Sequence, residues 1–175
     1  MEKKHLILIG FMGSGKSTVG KELASRLKHT FVDTDKLIEE KQGCSIATIF
    51  KEQGEQAFRQ METELLKTFS QEEKPLLIST GGGLPLRQEN GSLLKQMGVV
   101  IWLEVSKATV LERLQNDSNR PLLSSINRED SIEALLNSRR EQYQKLADLV
   151  IDVNDASVKQ IVDQICSSDL VKGQC

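Results

Sequence analysis

HLILIGFMGSGKST, residues 5–18, passes without a linker from an apolar run into three glycines, a lysine and the hydroxyl pair Ser17 and Thr18. The run reads as a buried strand. The residues beyond the glycines read as a helix, because Val19, Leu23 and Leu27 recur at helical spacing. Between the two, Gly10, Gly15, Lys16 and Ser17 satisfy G-x-x-x-x-G-K-[ST] in the strand-to-helix setting that pattern requires. Each position has a physical reason. Glycines let the backbone N–H groups from Gly13, Ser14 and Gly15 onward to Thr18 turn inward as a nest for phosphate oxygens, and the helix starting near Lys16 adds its positive dipole end. Lys16 supplies a mobile cation for the outer phosphates. Ser17 offers a hydroxyl to Mg²⁺, a hard ion that takes few ligands from protein. A chance match in a chain this long is expected about once in a hundred or less, so a plain flexible turn is the poorer explanation. The loop is expected to hold the phosphates of a nucleotide.

Outward from this loop, short apolar runs alternate with stretches of helical period. Strands are predicted at 5–10, 30–34, 76–80, 99–105 and 149–153. Phe58, Met61, Leu65 and Phe69 share one helical face, and Val110, Leu111 and Leu114 share another. Strands alternating with helices imply right-handed crossovers and a mostly parallel sheet covered on both faces, an α/β sandwich. The 175 residues, 38% of them hydrophobic, suit one domain spanning 1–175. Residues 116–128, NDSNRPLLSSINR, are too long for a simple connection and read as a mobile lid, with a plain surface loop as the alternative. The tail SSDLVKGQC, residues 167–175, reads as frayed.

Composition narrows the function. A net charge of -2 gives no overall basic field of the kind a nucleic-acid binder carries. Cys44, Cys166 and Cys175 are odd in number and widely spaced, which suits neither a disulfide framework nor a zinc site and fits a reducing cytosol. The apolar run near the N-terminus is too short for a signal peptide, and no stretch approaches the ~18 apolar residues of a membrane span. A soluble, cytoplasmic protein is expected.

A GTPase would carry Asp-x-x-Gly and Asn-Lys-x-Asp, and neither is present. The third strand ends in LLISTGGG, residues 76–83, with no strand-end aspartate to assist Ser17. FVDTD, residues 31–35, offers the substitute: in extended backbone Asp33 and Asp35 project together from the end of the second strand, beside the phosphate loop. Asp33 is then the expected partner of Ser17 at Mg²⁺. Asp35 is either a functional carboxylate or a helix N-cap. Arg139 falls on an apolar helical stripe with Ile132, Leu135, Leu136, Tyr143 and Leu146, whereas Arg140 falls on the polar face. A core-facing guanidinium needs a partner or must snorkel, so a bound carboxylate or phosphate is the sharper reading of Arg139. Arg59, with Glu55 and Glu62 at i-4 and i+3, reads as a surface salt-bridge ladder, and Arg113 as the polar flank of a helix. Arg120 lies in the middle of the suspected lid, where closure carries a charge onto transferring phosphate.

Taken together, GFMGSGKST, DTD, F-R-x-x-E at 58–62, TGGG, NRPLL at 119–123 and R-x-x-x-Y at 139–143 closely resemble the shikimate kinases. The resemblance runs in order over nearly the whole chain. It implies a single-domain P-loop kinase like the nucleoside monophosphate kinases, with a five-stranded parallel sheet in order 2-3-1-4-5 flanked by helices. It also implies transfer of the γ-phosphoryl of ATP, with Mg²⁺, to the 3-hydroxyl of shikimate, a step of aromatic amino acid biosynthesis. By motif, residues of about 34–62 form the acceptor-binding segment and 116–128 the lid. Asp35 would hold the ring hydroxyls as base or orienter, Arg59 and Arg139 would hold the carboxylate, and Gly81, Gly82 and Gly83 would present backbone N–H groups. Lys16 and Arg120 would stabilise the transferring group, Ser17 and Asp33 the metal. Arg113 would lie against adenine, and the loop at 154–157, Asp155 included, would close that pocket. Its stretch DVNDASVKQ, residues 152–160, lacks the arginine or proline seen there in some relatives. The expected partners are ATP and shikimate alone, with no nucleic acid or membrane, on a monomer. The alternatives are another small-polyol kinase, such as gluconate kinase, or a nucleotide-binding module without turnover.

Overall fold

The computed structural model describes residues 4–114 and 128–172. Five strands, β1 (His5–Ile9), β2 (Thr30–Asp33), β3 (Leu76–Ser79), β4 (Gly98–Glu104) and β5 (Leu149–Asp152), form one parallel sheet in the order β2-β3-β1-β4-β5. The five predicted strands and their predicted order are both found. β1 is buried throughout, as a central strand covered on both faces must be. Its alternate side chains divide between two cores. Leu6 and Leu8 pack with Val19 and Leu23 of α1 (Lys16–Leu27) and with Ile161 and Ile165 of α7 (Val158–Ser167), while Ile7 and Ile9 pack with Phe58 and Leu66 of α3 (Ile46–Ser70). The remaining helices are α2 (Thr34–Gln42), α4 (Gln88–Met97), α5 (Lys107–Leu114) and α6 (Arg128–Leu146), with a 3₁₀ turn at Leu84–Leu86.

Two local features differ from the sequence reading. The tail is not frayed as far as Lys172, because Val171 is fully buried in the core and the Val171 and Lys172 N–H groups both donate to Ser168 O. The second strand ends at Asp33, and α2 begins at Thr34. Asp33 and Asp35 therefore lose the extended alternation and do not project together. Asp33 is the N-cap, its Oδ1 accepting from the Asp35 and Lys36 N–H groups, and Asp35 lies in the first helical turn. Arg120 and residues 116–127 of the expected lid lie outside the described residues, and Arg128 opens α6.

α3 is two helices meeting at a kink at Gly54, whose φ of 84° and ψ of 167° are open only to glycine. α1 crosses the sheet at close range through Gly20, where a Cβ would stand 2.5 Å from the Phe31 ring and 3.0 Å from Leu77. Gly20→Ala would gain about 1 kcal/mol of helix propensity, but overpacking against a ring in the core costs about 1–3 kcal/mol. The steric cost is expected to win. Thermal unfolding followed by circular dichroism should give a Tm lowered by roughly 2–6 °C.

Candidate active site

The phosphate loop is built by its backbone. α1 begins after Gly15, at φ 89°, with no side-chain cap and no acidic residue in its first turn. Its first amides are thus left for an external anion, and the helix dipole favours one there. At Gly10 a Cβ would come within 2.7 Å of the Leu103 carbonyl oxygen of β4, so the tight passage of the loop over the sheet requires glycine. Ser14 is fully buried inside the loop. The Lys16 ammonium folds back over it and donates to Gly10 O at 2.8 Å and Phe11 O at 2.9 Å. Thr18 is exposed and Gly13 half-buried.

Beside the loop, Ser17 Oγ donates to Asp33 Oδ2 at 2.8 Å. The pair joins the first turn of α1 to the end of β2 and presents two hard oxygens side by side. Arg113, expected as a plain polar flank, is exposed yet pinned: Nη1 donates to Gly13 O at 2.9 Å and Nη2 to Val153 O at 2.8 Å. It thereby fixes the phosphate loop to the segment after β5. That segment is shaped by Asn154, whose Oδ1 accepts from the Ser106 N–H, and Asp155 within it is exposed.

The three glycines after β3 gather the other residues singled out in the sequence. A Cβ on Gly81 would stand 2.5 Å from Asp35 Oδ1 and 3.3 Å from Glu62 Oε1. One on Gly82 would stand 3.1 Å from Arg139 Nη1, and one on Gly83 would stand 2.6 Å from Arg59 Nη1. Bare backbone at 81–83 thus faces a carboxylate and two guanidinium groups brought in by α2, α6 and α3. The place of a Gly82 Cβ is also 3.5 Å from Gly10 O, so this cluster adjoins the phosphate loop. Local bonds hold the turn in place. The Gly81 N–H donates to the buried Thr34 Oγ1 at 2.9 Å, Tyr143 Oη donates to Gly82 O at 2.6 Å, and the Arg139 guanidinium lies over the Phe11 ring at 5.3 Å. The amide of Gly81 is therefore already engaged, contrary to the expectation that all three glycine amides face the acceptor. Arg140 points away and pairs with Glu104, as its polar-face position requires.

Arg59 is only partly the surface ladder its neighbours suggest. Glu55 is exposed and accepts from Arg59 Nη2 at 3.1 Å, but Glu62, at 2.9 Å from Nη1, is fully buried. Burial pushes the Glu62 carboxyl up to about 7, with Arg59 pulling it down and Asp35 adding to the rise. Burial works against the Arg59 charge, yet Glu62 and Glu55 together hold its pKa above the ordinary value. Burial likewise raises the Tyr143 phenol, against the influence of Arg139. Sequence reasoning missed the weight of Glu62, Thr34 and Tyr143. Glu62 sits between Met61 and Leu65 on the apolar side of its helix, and Tyr143 lies one turn after Arg139, so both had a signal in helical spacing. Thr34 had none.

A family model described as shikimate kinase matches residues 12–169. The chain belongs to the shikimate kinase family. A shikimate kinase of Sulfurihydrogenibium sp. (strain YO3AOP1) is 46% identical over 162 residues, 93% of this chain and 95% of that protein. One of Synechococcus sp. (strain CC9605) is 44% identical over 163 residues, 93% of this chain and 80% of that one. The solved structure of a shikimate kinase from Acinetobacter baumannii in complex with shikimate superposes with a TM-score of 0.88 at 36% identity, covering 94% of this chain and 91% of that chain. A gluconokinase from Sinorhizobium meliloti 1021, at 14% identity and a TM-score of 0.55, shares the fold alone. The gluconate alternative is therefore not favoured. No helix among the described residues is long and apolar enough to cross a membrane.

Proposed function

We propose that this shikimate kinase family member transfers the γ-phosphoryl group of ATP to the 3-hydroxyl of shikimate. The observation that carries the reading is the cluster at 81–83, where Asp35, Arg139 and Arg59 meet three consecutive side-chain-free residues next to a phosphate loop. Two guanidinium groups suit a carboxylate, which they neutralise and orient through paired N–H donors. One carboxylate suits the hydroxyls of the same small ring. The Gly82 and Gly83 amides serve as the remaining backbone donors.

Phosphoryl transfer asks the protein for alignment and charge stabilisation more than for covalent chemistry. In this reading the amides at the start of α1 hold the β-phosphate, and the Lys16 ammonium leaves the loop carbonyls to follow the γ-phosphoryl group as it moves. Asp35 accepts a hydrogen bond from the acceptor hydroxyl and takes up its proton as the new P–O bond forms. Arg120 joins Lys16 at the transferring group when the lid of 116–128 closes, and Arg113, with the segment containing Asp155, borders the base. Mg²⁺ fits at Ser17 and Asp33, since their paired oxygens are hard ligands. Bound there with the phosphates, it would neutralise charge on the β- and γ-oxygens. A reducing cytoplasm is the proposed compartment, supported by the odd number and wide spacing of the three cysteines.

ADP release measured with Mg²⁺, ATP and either shikimate or gluconate tests the assignment. Turnover on shikimate, with gluconate at least about 10³-fold poorer in kcat/KM, is expected, since polar groups placed for a ring's hydroxyls and carboxylate are left partly unpaired around an open chain. Preference for gluconate, or ATP binding without turnover of either, overturns it. A second test concerns Arg59 alone. In Gly83→Ala the new Cβ meets the guanidinium, the mobile end of a long side chain, which swings away while the backbone stays. Steady-state kinetics should show KM for shikimate raised about 10-fold, a loss of one charge-assisted contact, with KM for ATP unchanged.

A further inference from the structure

Glu62 is the one buried carboxylate among the described residues with an oxygen left over: Oε2 accepts from Arg59, and Oε1 has no hydrogen-bond partner. A buried, ionised carboxylate is tolerated where a cation compensates it. Here the compensation comes from Arg59, and that guanidinium is also the proposed anchor of the acceptor carboxylate. One cation thus serves two anions once the site fills. Arg87 reaches Glu62 only weakly, and Asp35, from α2, opposes its ionisation. Glu55 draws on the far side of Arg59. Of the charges acting on Glu62, Arg59 and Arg87 favour its ionisation and Asp35 opposes it.

We propose that Glu62 is a positioning residue of the acceptor site that holds Arg59 while the site is empty and takes up a proton as the acceptor carboxylate engages Arg59. The proton comes from solvent and forms an O–H bond at Oε1, the oxygen that Arg59 does not use. Oε2 keeps its hydrogen bond to Arg59, and the guanidinium charge passes to the acceptor. The inference rests on the acceptor reading given above. Its physical content is that adding a carboxylate and displacing water both penalise the Glu62 anion, in the same direction. The sign follows from linkage: a group that binds a proton more tightly in the complex makes acceptor affinity fall as pH rises through and above its value in the free protein, which lies near 7. The chain's two histidines, His5 at the start of β1 and His29 before β2, lie at the opposite end of the sheet, and burial lowers both.

The test is calorimetric titration of the full chain with shikimate at pH 7.5 in two buffers of different ionisation heat, HEPES and Tris. Uptake of roughly 0.5 proton per shikimate bound is expected, with affinity falling about fivefold from pH 7 to 9. Glu62→Gln keeps the shape and hydrogen bonding of the side chain; it should bind with no proton uptake and with affinity flat over that range. A side chain that merely shapes the pocket would change affinity without changing the proton count. Binding in the wild type with no uptake, or uptake that persists in Glu62→Gln, overturns the inference and leaves the acceptor reading standing. Absence of shikimate binding overturns both. If the variant does not fold, ¹³C spectra of wild-type glutamate side chains decide: one carboxyl titrating near neutrality must become protonated on adding shikimate at pH 7.5, and no change contradicts the proposal.

Discussion

Lys16→Met is expected to reduce kcat by about 10³-fold or more, the scale of losing one preorganised charge at the transferring group. The ammonium donates to the Gly10 and Phe11 carbonyls of its own loop, so it is held at the mouth of the phosphate nest rather than in solvent. Methionine has nearly the same length and packs in the same channel, and the fold should survive, since the contacts given up are worth about 1 kcal/mol each. KM for ATP should rise far less than kcat falls, because most ground-state phosphate contacts come from backbone amides. Steady-state kinetics beside a circular dichroism melt separate the two effects. A variant that keeps wild-type kcat would remove Lys16 from the chemistry.

Asp35→Asn should lower turnover by a similar factor of about 10³ while leaving the affinity for ADP within roughly twofold. The asymmetry follows from the proposed division of the two sites. Asp33 lies against Ser17, on the proposed nucleotide side, and Asp35 Oδ1 lies over Gly81, on the proposed acceptor side. Asparagine keeps the size and can still accept a hydrogen bond, but it cannot take the proton of the acceptor hydroxyl. Equal losses in turnover and ADP affinity, read by kinetics and by calorimetry, would contradict the division.

That division was only half legible in the sequence. FVDTD marks both carboxylates, but extended alternation sends them the same way, whereas the helix started by the Asp33 cap rotates Asp35 toward the third strand. β1, β3 and β4 were legible as short apolar runs bounded by polar or glycine-rich turns, β2 and β5 more weakly because polar residues interrupt them, and the strand order came with the resemblance. α7 was hidden although it carries both halves of a capping box, Ser157 with Gln160, because the stretch before it read as a loop over adenine. α4 was hidden for a different reason: its sequence, QENGSLLKQM, is polar with an internal glycine, and its helical state depends on packing against α3 and β4. Arg139 stood out because a guanidinium on an apolar stripe is locally inconsistent, a conflict of the kind that marks function. Arg59 gave no such conflict, since charges at i-4 and i+3 satisfy it locally. Only the tertiary fold shows that Glu62 is buried and that Arg59 has an open side toward Gly83.

The most direct measurement is a crystal structure of the chain with shikimate and ADP. The predicted result is the shikimate carboxylate bonded to both Arg59 and Arg139 over the glycines at 81–83, with the 3-hydroxyl beside Asp35 and turned toward the phosphate loop. A ring bound elsewhere, with Arg59 engaged only by Glu55 and Glu62, would contradict it.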